Sequence, residues 1–203
     1  VITSAGDRAF SAGFDLRELT RGSDEAPDVD LGYLMVDAVE AMDAITIAAI
    51  HGHCVGGGIL LAVGCDLRIA ADNTRFAIPE IDLGIPLAWG GIPRLVREVG
   101  AAATRELVMT CRPFDAIEAQ RLGMINRVVP LDRLRAETDE LAASLAAKPV
   151  SLLRMTKRQV HEAAEDLLTT RSGWAASAHL AVALADPEAR GAAAGYLASR
   201  SKD

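Results

Sequence analysis

Nowhere does the 203-residue sequence run through the roughly 18 consecutive apolar residues that a membrane-spanning helix requires. Positive charge is also not in excess. The formal net charge is -7, which disfavours nonspecific binding to nucleic acid or to an anionic membrane, since both need a basic face. A local basic spot for a phosphorylated ligand is still compatible with that balance. Cysteine is scarce and odd in number, with Cys54, Cys65 and Cys111 only. This argues against a disulfide framework and fits reduced, partly buried thiols in a cytoplasmic protein. Several catalytic signatures are missing as well. No Gly-x-Ser-x-Gly elbow occurs, and His161 and His179 lie in helical stretches, which speaks against a hydrolase triad. No Gly-x-x-x-x-Gly-Lys phosphate loop occurs, and Leu61 stands where the third glycine of a dinucleotide fingerprint would follow Gly56-Gly57-Gly58. His51-Gly52-His53-Cys54 offers imidazole and thiolate, yet no second ligand pair follows at a useful spacing, so no metal site is expected.

What is present is enough apolar material for a sizeable core, at 50% of residues. Val1-Ile2-Thr3 reads as the end of a strand that needs a partner beside it, so either residues precede it or association repairs the edge. A turn at 4–7 leads to a loop around Gly13 and a short helix before Leu19; residues 20–28 are polar and read as a mobile surface loop. Leu34, Met35, Ala38, Val39 and Met42 recur at helical spacing, predicting a helix over 31–42. Ile45 to Ile50 reads as a strand buried on both faces. A helix follows at 59–63, then strands at 66–71 and 75–78. Such alternation predicts an α/β fold with parallel pairing. Beyond Pro86 the pattern is helical, at 92–99, 102–110 and 116–122. It continues through an Ala/Leu-rich region from 131 to 200 that breaks near Lys148-Pro149, with one short strand at 127–129. The organisation expected is an α/β core over 1–130 and a helical region over 131–203, packed on the core, on a neighbouring subunit, or on both.

Three segments carry possible chemistry. The first is Ala9-Phe10-Ser11-Ala12-Gly13-Phe14-Asp15-Leu16. The second, Ile50-His51-Gly52-His53-Cys54-Val55-Gly56-Gly57-Gly58, ends a strand and opens a helix. A helix that starts on glycines presents free N–H groups with no side chain in the way, which suits an anion or a developing oxyanion. The same glycines equally fit a tight packing turn. The third, Phe76-Ala77-Ile78-Pro79-Glu80-Ile81-Asp82-Leu83-Gly84-Ile85-Pro86, sets a carboxylate in an apolar loop. Desolvation there would raise its pKa and suit it to take and return a proton. Taken alone, Glu80 reads as a solvated loop residue.

In this order and spacing the three segments resemble the crotonase family, also called the enoyl-CoA hydratase/isomerase family. The resemblance runs from Val1 to about Pro130 and more loosely through Asp186 to Arg200. It implies an α/β fold made of stacked ββα turns with a C-terminal helical region, assembled as trimers or hexamers. It also implies some tens of residues ahead of the position of Val1 that this chain lacks. The substrate implied is an acyl-CoA thioester, with coenzyme A entering as part of the substrate and no separate cofactor.

Residue by residue, the resemblance assigns the N–H groups of Phe14 and Gly57 to an oxyanion hole and Glu80 to proton transfer. Ala12, Gly13, Gly56, Leu60, Pro79, Leu83 and Trp89 would form the substrate site, and Tyr196 would meet adenine. The family's hydratases use two glutamates, and the first falls on Leu60, which transfers no proton. One base suffices to move a double bond from C3=C4 to C2=C3, so isomerisation is favoured over hydration. The acyl-CoA hydrolases of the family carry an aspartate at the position of Ala88, and the dehalogenase-like members, which share Phe at position 14, use an aspartate nucleophile absent here. The rival from another class is a noncatalytic acyl-CoA-binding homologue.

Overall fold

The computed structural model of the protein describes residues 1–15, 30–170 and 175–200. The segments read from sequence as a short helix before Leu19 and a loop at 20–28 lie in the stretch outside the described residues, as does Trp174. Among the described residues, seven short strands form two sheets. Strands β1 (Ala9–Ser11), β3 (His53–Val55), β5 (Arg75–Ala77) and β6 (Phe114–Asp115) make one, in that order, and β2 (Ile47–Ile50), β4 (Leu67–Ala71) and β7 (Arg127–Val129) make the other. All pairs are parallel except β5 with β6. Each pass of the chain therefore lays a strand in one sheet, turns, and lays the next in the other: β2 then β3, and β4 then β5. Helix α2 (Gly57–Val63) follows the first pass, and α3 (Gly91–Thr110) follows the second. This is the expected stack of ββα turns. Ile2 bridges to Ala48, its N–H donating to the Ile47 carbonyl at 2.8 Å and its carbonyl accepting from Ala49 at 2.9 Å, so the first residues extend the sheet beside β2.

Every residue of β2 is buried, in keeping with its unbroken Ile/Ala run, and so are four of the five in β4. Ile50, Ile59, Leu60, Ala70, Phe76, Leu95 and Leu107 meet in the main core, where the rings of Phe76 and Phe114 stack at 5.3 Å across the antiparallel pair. Helix α3 is broken once, at Gly100 (φ 77°, ψ 163°), giving the two helical stretches the sequence predicts. Helix α4 (Ala116–Arg121) starts on an Asp115 side chain that accepts from the Glu118 N–H at 2.8 Å.

Helix α1 (Asp30–Glu40) forms where its spacing predicts. Tyr33 and Val36 are buried, Val39 packs partly on the core, and Leu34, Met35 and Met42 are 47%, 36% and 46% exposed. Both faces of this helix are apolar, so periodicity alone could not choose between them. Polar contacts do: Arg94 Nε and Nη2 donate to Glu40 at 2.9 and 2.7 Å, Nη2 donates to Asp37 at 3.1 Å, and the guanidinium lies 5.3 Å from the Tyr33 ring centre.

The helical region continues as α5 (Leu134–Ala146), α6 (Val150–Leu167), α7 (Ala175–Ala185) and α8 (Pro187–Arg200). Leu134 of α5 is buried against Ala49, Ile69 and Ala71 of the second sheet. Helix α6 buries no residue and is tied down by charge, Lys157 Nζ to Asp66 at 2.9 Å and Arg97 to Glu165. Burial pushes the Glu165 carboxyl up, but hydrogen bonds from Arg97 and Thr170 outweigh it and hold the group at about 2. No helix among the described residues is long and apolar enough to cross a membrane.

Candidate active site

Parallel neighbours β1 and β3 end at the same edge, so the loops that follow them lie side by side. The contact is close enough to restrict residue type. Gly13 has φ 86°, and a Cβ there would sit 2.7 Å from the Val55 carbonyl oxygen and 3.2 Å from the Gly57 nitrogen. Only glycine brings the 12–14 backbone this near to the first turn of α2. As the opening residue of a helix, Gly57 has an N–H with no acceptor inside the helix. The predicted juxtaposition of the Gly13-Phe14 turn with the glycine turn is therefore present.

Glu80 follows β5 and comes back onto the same place. Its carboxylate packs over Gly56, where an added Cβ would lie 2.5 Å from Oε1. The residue is 8% exposed, and among the described residues its Oε2 is the one buried side-chain oxygen or nitrogen without a hydrogen-bond partner. Such atoms are uncommon in native proteins and ask for an explanation. Desolvation raises the carboxyl from 4.5 to about 7, partly opposed by its own backbone N–H. The Ile85 N–H donates to the Glu80 carbonyl at 2.9 Å and the Leu83 N–H to that of Pro79 at 3.0 Å, folding the loop into a compact turn.

A small cavity of about 50 Å³ lies against this carboxylate. Of the residues named from sequence, Phe14, Gly57, Leu60, Glu80 and Trp89 line it. Gly13 and Gly56 shape its backbone from behind, as the distances above describe. Ala12 is exposed, Leu83 is buried, and neither they nor Pro79 nor Tyr196 of α8 reach its wall. The remaining wall comes from Ile85 to Ala88 and from Leu180 of α7. Leu180 was not foreseen, because an Ala/Leu-rich helix gives no signal as to which leucine faces a distant loop. Apart from the carboxylate, the side chains that line the cavity are apolar, Leu60 of α2 among them.

A larger cavity, about 490 Å³, runs beneath α6. Its cationic groups are matched by neighbours: Arg68 with Glu98 at 2.5 Å, Arg94 with Glu40, Lys157 with Asp66, and Arg97 with Glu165. It is a charged seam between helix and core, without an unpartnered buried side-chain group among the described residues. Other candidates also fall away. His51 Nε2 lies 2.9 Å from the Gly6 carbonyl and 3.3 Å from Ser4 Oγ, holding the N-terminal turn. All three cysteines are free and buried, and burial drives the Cys54 thiol far up, which leaves no thiolate for nucleophilic attack. No group of three or more His, Cys, Asp or Glu among the described residues is placed to hold a metal ion.

Comparison with known proteins identifies the family. The sequence model of the enoyl-CoA hydratase/isomerase family matches residues 1–196. A crotonyl-CoA hydratase of Syntrophomonas wolfei is 38% identical over 164 residues, covering 80% of this chain and 63% of the relative. A carnitinyl-CoA dehydratase of Escherichia coli K12 is 42% identical over 148 residues, covering 71% and 56%. The chain thus spans less than two thirds of the length of these relatives. Among solved structures, an enoyl-CoA hydratase from Bacillus anthracis superimposes with a TM-score of 0.77 at 30% identity, covering 89% of this chain and 70% of that one. With the match running almost end to end and the same fold beneath it, the chain belongs to the enoyl-CoA hydratase/isomerase family.

Proposed function

We propose that the protein acts on an enoyl-CoA thioester, shifting its double bond from C3=C4 to C2=C3 with Glu80 as the single acid/base. The observation that carries this reading is one buried, raised carboxylate with an unpartnered oxygen, in a cavity whose other lining side chains, Leu60 among them, are apolar. The thioester oxygen would lie between the N–H groups of Gly57 and Phe14. As Glu80 takes the proton from C2, the electron pair of that C–H bond spreads into the carbonyl and the C3=C4 bond. The two N–H groups stabilise the dienolate. Glu80 then delivers the same proton to C4, and the double bond is left at C2=C3. A carboxyl that titrates near 7 is suited to both transfers. Hydration would profit from a second carboxylate at the position of Leu60, which is absent. The printed names of the relatives, a crotonyl-CoA hydratase and a carnitinyl-CoA dehydratase, support hydration as the second reading.

The test is incubation with 3-enoyl-CoA and with 2-enoyl-CoA in deuterated water, followed by mass spectrometry. Isomerisation gives 2-enoyl product without the mass of an added water. Water addition to the 2-enoyl ester would replace this reading with hydration. Glu80→Gln is expected to lower turnover by about 10²–10⁴-fold while acyl-CoA affinity stays. Turnover unchanged by that substitution removes Glu80 from the mechanism. Binding without turnover in the unsubstituted protein favours a noncatalytic acyl-CoA-binding homologue. We further read the exposed apolar residues of α1 and α6 as a surface for self-association into a trimer or hexamer.

A further inference from the structure

One side chain that lines the cavity beside Glu80 is held from several directions. Trp89 has φ 56°, in the left-handed region where a bulky residue is strained. Its carbonyl is held there by Arg94 Nη1, which donates at 2.9 Å, and the Arg94 side chain is itself only 2% exposed and fixed by Glu40 and Asp37. The indole is wedged between two glycines from different elements. A Cβ on Gly32 of α1 would lie 1.8 Å from indole Cε2, and one on Gly57 would lie 2.1 Å from Cζ3. Phe14 meets the ring edge-on, at 6.2 Å and 70°. Two glycines, a strained backbone and a buried arginine thus converge on placing one ring against the oxyanion turn. Strain of this kind persists only where its surroundings over-determine it.

What the ring leaves open is about 50 Å³. We infer that Trp89 is the specificity-determining residue of this site, favouring short acyl chains over long ones. This rests on the reading of the site as an acyl-CoA site and adds which acyl groups it takes. A short acyl chain lies between Leu60, Glu80 and the indole. A longer one meets the face of the ring, which cannot retreat because Gly32 and the α1 backbone stand behind it.

The experiment compares binding of butyryl-CoA and octanoyl-CoA to the full chain by calorimetry, with rates on the matching 3-enoyl thioesters. The unsubstituted protein is expected to prefer the butyryl ester, and Trp89→Ala to shift the ratio toward octanoyl by at least about tenfold, the scale on which apolar pockets discriminate. A folded Trp89→Ala protein with an unchanged ratio overturns the inference. Should that variant not fold, Trp89→Phe replaces it, with a smaller shift in the same direction expected and no shift counting against. Because saturated esters bind without reacting, binding without turnover refutes the proposed reaction while still testing Trp89. Absence of binding to either ester refutes both.

Discussion

A carboxyl that holds its proton to about pH 7 in the folded protein, and releases it near 4.5 when exposed, leaves a mark on stability as well as on chemistry. Between those two values the folded state binds more protons than the unfolded state, so stability falls as pH rises through that window. The loss is complete above about 7 and absent below about 4.5. Glu80→Gln removes the titration. The variant should therefore gain on the parent protein across this range, by up to about 3 kcal/mol at slightly alkaline pH, in urea unfolding run at several pH values. Equal stability differences at pH 4 and pH 8 would place the carboxyl in water. The family resemblance singled out Glu80, Gly57 and Phe14, since their segments taken alone also fit a solvated loop and a packing turn. What sequence could not supply is the isolation of Glu80 Oε2, or the wedge of Trp89 between Gly32 and Gly57, because each depends on residues from three separate elements meeting at one point.

Among the elements, the helices and the strands β2, β4, β5 and β7 were legible, and β3 and β6 were not. β3 and β6 have three and two residues, and both pair with β5. The inward face of α1 was not read from sequence, and its polar partner Arg94 lies more than fifty positions away. The break in α3 is a local matter and can be tested locally. Gly100 adopts φ 77° and ψ 163°, a region essentially reserved for glycine, and a Cβ there would meet nothing within 4 Å. Gly100→Ala should thus cost about 1–3 kcal/mol through the backbone alone, seen as a lower urea midpoint with an unchanged slope. A neutral result would show that the kink relaxes freely.

For the molecule as a whole, the α/β stack followed from the alternation of elements and from the family resemblance, whereas surface use did not. Leu34 and Met35 of α1, and Val150, Leu152, Met155 and Val160 of α6, stand largely exposed on a chain whose net charge is -7. Large apolar side chains grouped on helix faces mark contact surfaces more often than solvated ones. Sedimentation equilibrium is expected to return a mass that is a multiple of the chain, and Leu34→Glu or Met155→Glu to move it toward the single chain. A monodisperse single chain for the unsubstituted protein would mean that these faces serve another partner or none.

The position of Trp89 has one more consequence. Its indole forms part of the wall that encloses Glu80, in a chain with only two tryptophans. Ultraviolet emission from that ring responds to a neighbouring carboxyl changing charge and to water leaving the cavity. With Trp174 replaced by phenylalanine, the protein carries a built-in optical indicator of its own site, needing neither a label nor a turnover event.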